Sequence, residues 1–321
     1  MIVDFKEGSY SYEKLTADAK SLANQYSEIL KYVTIGKSHD NRDIILLKLG
    51  VGKQHMICCG GVHARENINP IVLLRIIENY AELYYKHKEQ KQEFKKQNNF
   101  QKVQDKDEYE DILYGACIYE ILQTFTILFV PLLNPDGYVI SLYGFDAIED
   151  PQLRELCKAK NIPGEEWKCN ARGVDINRNF PSRLYRPKDP GDYAASENET
   201  KALIFLFHGY RSKGFLDFHS RGKQIYYYRK AMSDTYNNKQ HEIALRLAGV
   251  TNYVLIPPEE EVDPGDTGGN TVHYYSEHFR KPALTIETVD EEAAFPLNIR
   301  YRDSTFDELK LIILEFGSRI L

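Results

Sequence analysis

Apolar residues fall along this chain in short runs that alternate with stretches of helical spacing. Positions 12–30 carry apolar residues at helical intervals, and the runs 32–35 and 44–49, separated by the turn Asp40-Asn41-Arg42-Asp43, read as strands. A third run, 56–59, stops at Gly60-Gly61. Pro70 then opens a helical pattern over 71–85, at a first-turn position where its missing N–H costs nothing. Residues 124–133 are apolar on both faces, as a central strand requires, and lead into the turn sequence Asn134-Pro135-Asp136-Gly137. Two more short runs, 215–218 and 283–286, end at His219-Ser220 and Glu287-Thr288, and helical spacing fills 196–210, 234–248, 270–279 and 303–314. Strands alternating with helices, with no repeat period, predict an α/β fold: a single domain, residues 1–321, whose central, mixed but mainly parallel β-sheet is covered by helices on both faces.

One stretch breaks the pattern. Residues 86–110 are dominated by Lys, Glu, Gln, Asp and Asn, which predicts a charged, solvated insertion, an exposed helical extension with a connector, carrying no chemistry. At 321 residues and 42% hydrophobic content the chain can bury a substantial core. Its net charge of −6, with both signs mixed throughout, gives no basic surface for nucleic acid or an anionic membrane, so neither is an expected partner. The charged start Met1-Ile2-Val3-Asp4-Phe5-Lys6-Glu7 lacks the apolar stretch of a signal peptide, and no run is long enough to span a bilayer, so the expected location is cytoplasmic. Five cysteines without framework spacing read as reduced thiols outside any metal site.

Chemistry gathers at the strand ends. His63 and Glu66, in GGVHARE at 60–66, lie three residues apart between a strand and a helix, the location where open α/β sheets collect ligands. An imidazole and a carboxylate at that spacing can close on one divalent ion, and a catalytic zinc site needs only a distant second His to complete three ligands and leave one position open. Taken alone the pair reads equally well as a surface salt bridge. Three further polar clusters end predicted elements: GVDINRNF at 173–180, DFHS at 217–220 and TIE at 285–287. Together they offer a further His, a guanidinium beside an amide at Asn177 and Arg178 that suits a carboxylate, and a spare carboxylate at Glu287. Singly, an NRN triplet is also a common surface turn, and Glu287 could be a salt-bridged strand end.

In order along the chain, HxxE, NPDGY at 134–138, GVDINRNFP at 173–181, FHS at 218–220, the paired Gly268-Gly269 and TIE resemble the zinc carboxypeptidase (carboxypeptidase A-like) family, from about Tyr12 to the C-terminus. The resemblance implies one zinc ion held by His63, Glu66 and His219, and hydrolysis of a C-terminal peptide bond by a metal-activated water with Glu287 as general base. It assigns the substrate's terminal carboxylate to Asn177 and Arg178, a further substrate contact to Arg65, and orientation of His63 to Asp175. It also implies that the pocket for the terminal side chain is lined by Asn270 or Thr271. Neither is charged, which argues against a strong preference for basic residues.

Two family positions do not transfer directly. The arginine that stabilises the oxyanion lies in a Trp-Arg-Lys segment, where this chain has Trp167-Lys168-Cys169-Asn170-Ala171-Arg172. Arg172 is the expected counterpart, with Lys168 as the alternative, and losing that cation should lower turnover about 100-fold or more. The family's mobile tyrosine would fall in Asp263-Pro264-Gly265-Asp266-Thr267, which has no phenol, while Tyr274 and Tyr275 beyond the glycines read as packed aromatics. Residues 161–172 and the form of GVDINRNFP resemble bacterial members, some of which cut γ-D-glutamyl-diaminopimelate bonds. The expected substrate is therefore a peptide, with a muropeptide as the alternative. An N-acyl amino acid deacylase and a non-catalytic zinc-binding homologue are weaker readings: the deacylases lack NPDGY and a full NRNF, and no ligand or base is missing here.

Overall fold

The computed structural model describes residues 1–97, 106–261 and 268–321. Eight strands form one sheet: β1 (Leu30–Lys37), β2 (Asp43–Leu49), β3 (Gln54–Gly60), β4 (Phe125–Val130), β5 (Ser212–Ser220), β6 (Gln224–Tyr226), β7 (Val254–Leu255) and β8 (Ala283–Thr288), in the order β1-β2-β4-β3-β5-β8-β6-β7. The middle is parallel, β4 with β3, β3 with β5 and β5 with β8, while β1, β2 and β6 join antiparallel. The expected mixed, mainly parallel sheet is therefore present.

Two-sided burial explains the near-continuous apolar runs of the central strands. Met56 and Cys58 of β3, with Phe125, Ile127 and Phe129 of β4, enter a core roofed by helices Tyr12–Gln25, Asn69–Gln97 and Asp234–Thr251. Ile57, Cys59, Leu128 and Val130 alternate onto the opposite face, against helices Asn198–Gly209 and Thr271–Phe279. All five cysteines are free thiols.

Several elements differ from the sequence reading. Pro135–Tyr143, expected as a turn, is a helix with Pro135 in its first turn, capped by Asn134, whose side chain accepts from Gly137 N at 2.9 Å. The charged stretch is flanked and partly built by helices Asn69–Gln97 and Lys106–Thr124, the second of which buries Ile118, Ile121 and Leu122. Its middle, 98–105, lies outside the described residues, as does 262–267, where the tyrosine-free stretch falls. The pattern over 303–314 resolves into two helices, Tyr301–Leu309 and Ile312–Arg319. Among the described residues no helix is long and apolar enough to cross a membrane.

Candidate active site

Sheet order does the assembling. Strands β3, β5 and β8 are consecutive neighbours that run parallel, so their C-terminal ends share one edge. His63 and Glu66 follow the end of β3, His219 lies one residue before the end of β5, and Glu287 lies one residue before the end of β8. His219 and Glu287 are register partners across β5 and β8, which sets their side chains on the same face. Below them Asn69, Ser220 and Thr288 close a buried triangle of hydrogen bonds, 2.7–3.2 Å long, that fixes the two strand ends to the start of helix Asn69–Gln97.

Two groups of side chains among the described residues converge closely enough to hold an ion, and His63, Glu66 and His219 form one of them, with ligand atoms within 4.8 Å of one another. His63 Nδ1 lies 2.7 Å from Glu66 Oε1, and His219 Nδ1 lies 3.3 Å from His63 Nδ1 and 3.2 Å from Glu66 Oε2. Both imidazoles thus present Nδ1 to a common point. Glu66 is buried, yet its Oε2 makes no hydrogen bond. A buried carboxylate oxygen without a donor is costly, and a divalent cation between two Nδ1 atoms and this oxygen removes the cost, so the residues fit zinc.

The far side of each ring meets a carboxylate. His63 Nε2 is 3.3 Å from Asp175 Oδ1, and Lys168 Nζ holds Asp175 Oδ2 at 2.8 Å. His219 Nε2 is 3.0 Å from Asp217 Oδ2, which also accepts from the Thr271 hydroxyl. An acid behind each imidazole keeps Nδ1 available as a ligand and fixes the ring. Asp217 escaped the sequence reading. Its signal was its position two residues before His219 on a strand, which puts both on one face.

Charge tuning follows from these contacts. Burial opposes ionisation of Glu66, but His63 and His219 overcome it and hold the carboxyl down to about 2. Burial likewise works against Asp175, and His63 and Lys168 hold it well below the usual carboxylate range. Burial would push His63 down, but Glu66 and Asp175 lift it to about 9. Glu287 moves the other way, pushed up to about 7 by burial against the partly offsetting pull of His219. The two neighbouring carboxyl groups are thus shifted in opposite directions, Glu66 down by the imidazoles and Glu287 up by burial.

The remaining expected residues separate. Asn177 and Arg178 occupy a 3-10 turn, Ile176–Arg178, started by Asp175, whose side chain accepts from Asn177 N at 3.0 Å. The paired glycines explain themselves here. A Cβ on Gly269 would lie 2.5 Å from the Arg178 carbonyl oxygen, and both glycines have positive φ, so only glycine lets this loop lie on the NRN turn. Thr271 is fully buried, with its N–H on Asn177 Oδ1 at 3.1 Å and its hydroxyl on Asp217, so it braces the turn and the His219 partner. Arg65 stacks on Phe295, 4.4 Å from the ring centre. Arg172 turns away to Glu197 Oε1 at 3.1 Å, and of the two candidate oxyanion cations only Lys168 shares a neighbour, Asp175, with the triad. Tyr274 and Tyr275 are buried and bonded to His208 and Ser212, as packed aromatics.

NPDGY is structural. Asn134 donates to Val62 O and Cys169 O, and Asp136 receives Ser38, Asp40 N and Arg42, so the motif ties the β1–β2 turn to the loops beside the triad.

Known proteins agree with this architecture. Gamma-D-glutamyl-L-diamino acid endopeptidase 1 of Lysinibacillus sphaericus is 22% identical over 95% of this chain and 72% of its own length. Carboxypeptidase B of Astacus astacus is 29% identical over 53% of this chain, which spans 44% of that protein. In structure, bovine thrombin-activatable fibrinolysis inhibitor, solved with a tick carboxypeptidase inhibitor, superposes with a TM-score of 0.73 over 98% of both chains at 17% identity, and so shares the fold. Carboxypeptidase A of Helicoverpa armigera does so with a TM-score of 0.69 at 19% identity, over 99% of this chain and 74% of its own. The family profile described as zinc carboxypeptidase matches residues 15–101 and 113–301. By that match, which takes in most of its length, the chain belongs to the zinc carboxypeptidase family of peptidases.

Proposed function

We propose that the chain is a zinc-dependent metallocarboxypeptidase, with His63, Glu66 and His219 as the ligands of one zinc ion and Glu287 as the general base. The observation that carries this reading is the convergence of two Nδ1 atoms and an unsatisfied carboxylate oxygen beside a half-buried carboxyl group, Glu287, at the end of the adjacent strand. Zinc bound there would supply a Lewis acid for the scissile carbonyl and for the attacking water. Glu287 takes the proton of that water and returns it to the leaving amine, which a carboxyl group near neutral pKa does in both directions. Asn177 and Arg178 hold the free carboxylate of the substrate, fixing the last peptide bond over the triad, and Arg65 steadies the preceding residues. Asp175 and Asp217 orient the two imidazoles. Lys168 is the better-situated cation for the developing oxyanion, since Asp175 holds it beside His63 while Arg172 is engaged by Glu197.

A second reading, cleavage of γ-D-glutamyl-diamino acid bonds in muropeptides, is favoured by one observation: the L. sphaericus relative aligns with nearly the whole chain. Both readings use the same ligands and base. The discriminating experiment incubates zinc-loaded protein with free-C-terminus peptides, blocked peptides and γ-D-glutamyl-diaminopimelate peptides, and reads products by mass. Loss of single residues from the free peptides alone supports the carboxypeptidase. Cleavage of the γ-D-glutamyl pool alone supports the muropeptide enzyme, and no cleavage of any pool removes both.

A further inference from the structure

His39, Glu197 and Glu199 form the second group whose ligand atoms lie within 4.8 Å of one another. His39 sits in the turn between β1 and β2, Glu197 is the residue before helix Asn198–Gly209, and Glu199 is in the first turn of that helix. Both glutamates are wholly buried. Their geometry is specific. Glu197 Oε1 is taken by Arg172 at 3.1 Å and Ser196 at 2.6 Å, which leaves Oε2 turned inward. The Asn170 amide nitrogen donates to Glu197 Oε2 at 2.7 Å and to Glu199 Oε2 at 3.2 Å, drawing both carboxylates to one point. His39 Nε2 lies 3.0 Å from the first oxygen and 4.0 Å from the second, yet makes no well-directed hydrogen bond to either. The other oxygen of Glu199 has no hydrogen-bond partner in another residue.

Glu197 is answered by Arg172, Ser196 and Asn170, whereas Glu199, equally buried, receives from another residue, among the described residues, only the shared Asn170 amide. An imidazole nitrogen 3.0 Å and 4.0 Å from the two carboxylate oxygens, with no hydrogen bond to either, is at the spacing of a third ligand. We propose that His39, Glu197 and Glu199 form a second divalent-metal site of the chain, suited to zinc or manganese, since one imidazole and two carboxylates favour these over calcium. The ion joins the β1–β2 turn to helix Asn198–Gly209. Through Asn170 it anchors the loop that continues to Asp175, Asn177 and Arg178, so its role is to stiffen the substrate-binding turn.

The test is metal stoichiometry. Chelator-stripped wild-type chain is dialysed against zinc, and separately against manganese, at pH 7.5, and bound metal is measured by atomic emission. Two equivalents are expected for the wild type with zinc, and one for His39→Ala and for Glu199→Gln, each with unchanged circular dichroism. A His63→Ala/His219→Ala variant should retain one equivalent, together with a metal-dependent rise in melting temperature that adding His39→Ala abolishes. A wild type that binds one equivalent, with none left in the His63/His219 variant, overturns the second site and leaves the catalytic reading standing. Two equivalents retained by both His39→Ala and Glu199→Gln overturn it as well.

Discussion

The two His-and-carboxylate triads of this molecule use similar side chains in different surroundings. In the triad His63, Glu66 and His219 each imidazole has an acid behind it, Asp175 or Asp217, a further carboxyl group stands alongside at Glu287, and the cationic turn Asn177-Arg178 follows Asp175 in the chain. In the other triad, Asn170, Ser196 and Arg172 are spent on the carboxylates themselves. The first lies at the ends of two parallel strands, β3 and β5. The second joins a hairpin turn to a helix start. Both groups combine imidazole and carboxylate, two to one in the first and one to two in the second. What separates them is their surroundings: the first has Glu287 on the adjacent strand and the Asn177-Arg178 turn just beyond Asp175, as the proposed function requires.

The sharpest way to break this contrast is to remove the base. Glu287→Gln should lower turnover about 10²–10⁴-fold with zinc content unchanged, whereas His39→Ala should leave turnover within a few-fold. Comparable losses in both would erase the distinction. Next in size is the oxyanion cation. Lys168→Ala should cost about 100-fold in turnover, about 3 kcal/mol at the transition state, and Arg172→Ala under about tenfold. The opposite order in steady-state kinetics would restore the expectation drawn from the sequence for Arg172.

A third prediction concerns the acid behind His219. Asp217→Ala should weaken zinc binding at the catalytic triad about 10–100-fold, as judged by competition with a chelator, and Asp217→Asn should weaken it less. Equal affinity in wild type and Asp217→Ala would reduce Asp217 to a packing residue.

The smallest expected effect separates the triads by pH. Burial pushes Glu199 up to about 7 from its ordinary 4.5, so its contribution to stability is present below pH 4.5 and lost as pH rises through 7. Glu197 behaves oppositely. Burial alone would raise it, but His39, Ser196 and Asn170 hold it at about 2, so its contribution is present above 4.5 and disappears as pH falls toward 2. In chelator, Glu199→Gln should therefore raise the melting temperature at pH 8 by a few degrees, up to about 3 kcal/mol, and leave it unchanged at pH 4. A drop at pH 8 without metal would contradict the charge balance described for this cluster.

The central strands were legible because burial on both faces makes them continuously apolar. Strands β6 and β7 were not, being three and two residues long beside the sheet edge with little pattern to carry. Helix Pro135–Tyr143 was hidden by Pro-Asp-Gly, which reads as a turn in isolation. Gly137 is required there because a Cβ would lie 2.4 Å from the Cys169 carbonyl oxygen. Helix Lys106–Thr124 was masked by its polar opening. In the site, the ordered motifs brought out His63, Glu66, His219, Glu287 and the NRN turn, since each is a local signature at an element end. The braces were harder to see. Thr271 and Asp217 meet only through tertiary packing, Arg172 is claimed by Glu197, and His39 reaches its glutamates from far upstream in the chain, across its midpoint.

The central claim is that the ends of β3 and β5 hold the catalytic ion. Anomalous diffraction at the zinc edge from crystals of the zinc-loaded chain tests it directly. A strong peak is expected about 2.0–2.2 Å from His63 Nδ1, His219 Nδ1 and a Glu66 oxygen, beside Glu287. A zinc-loaded crystal with no peak between those three side chains would contradict it.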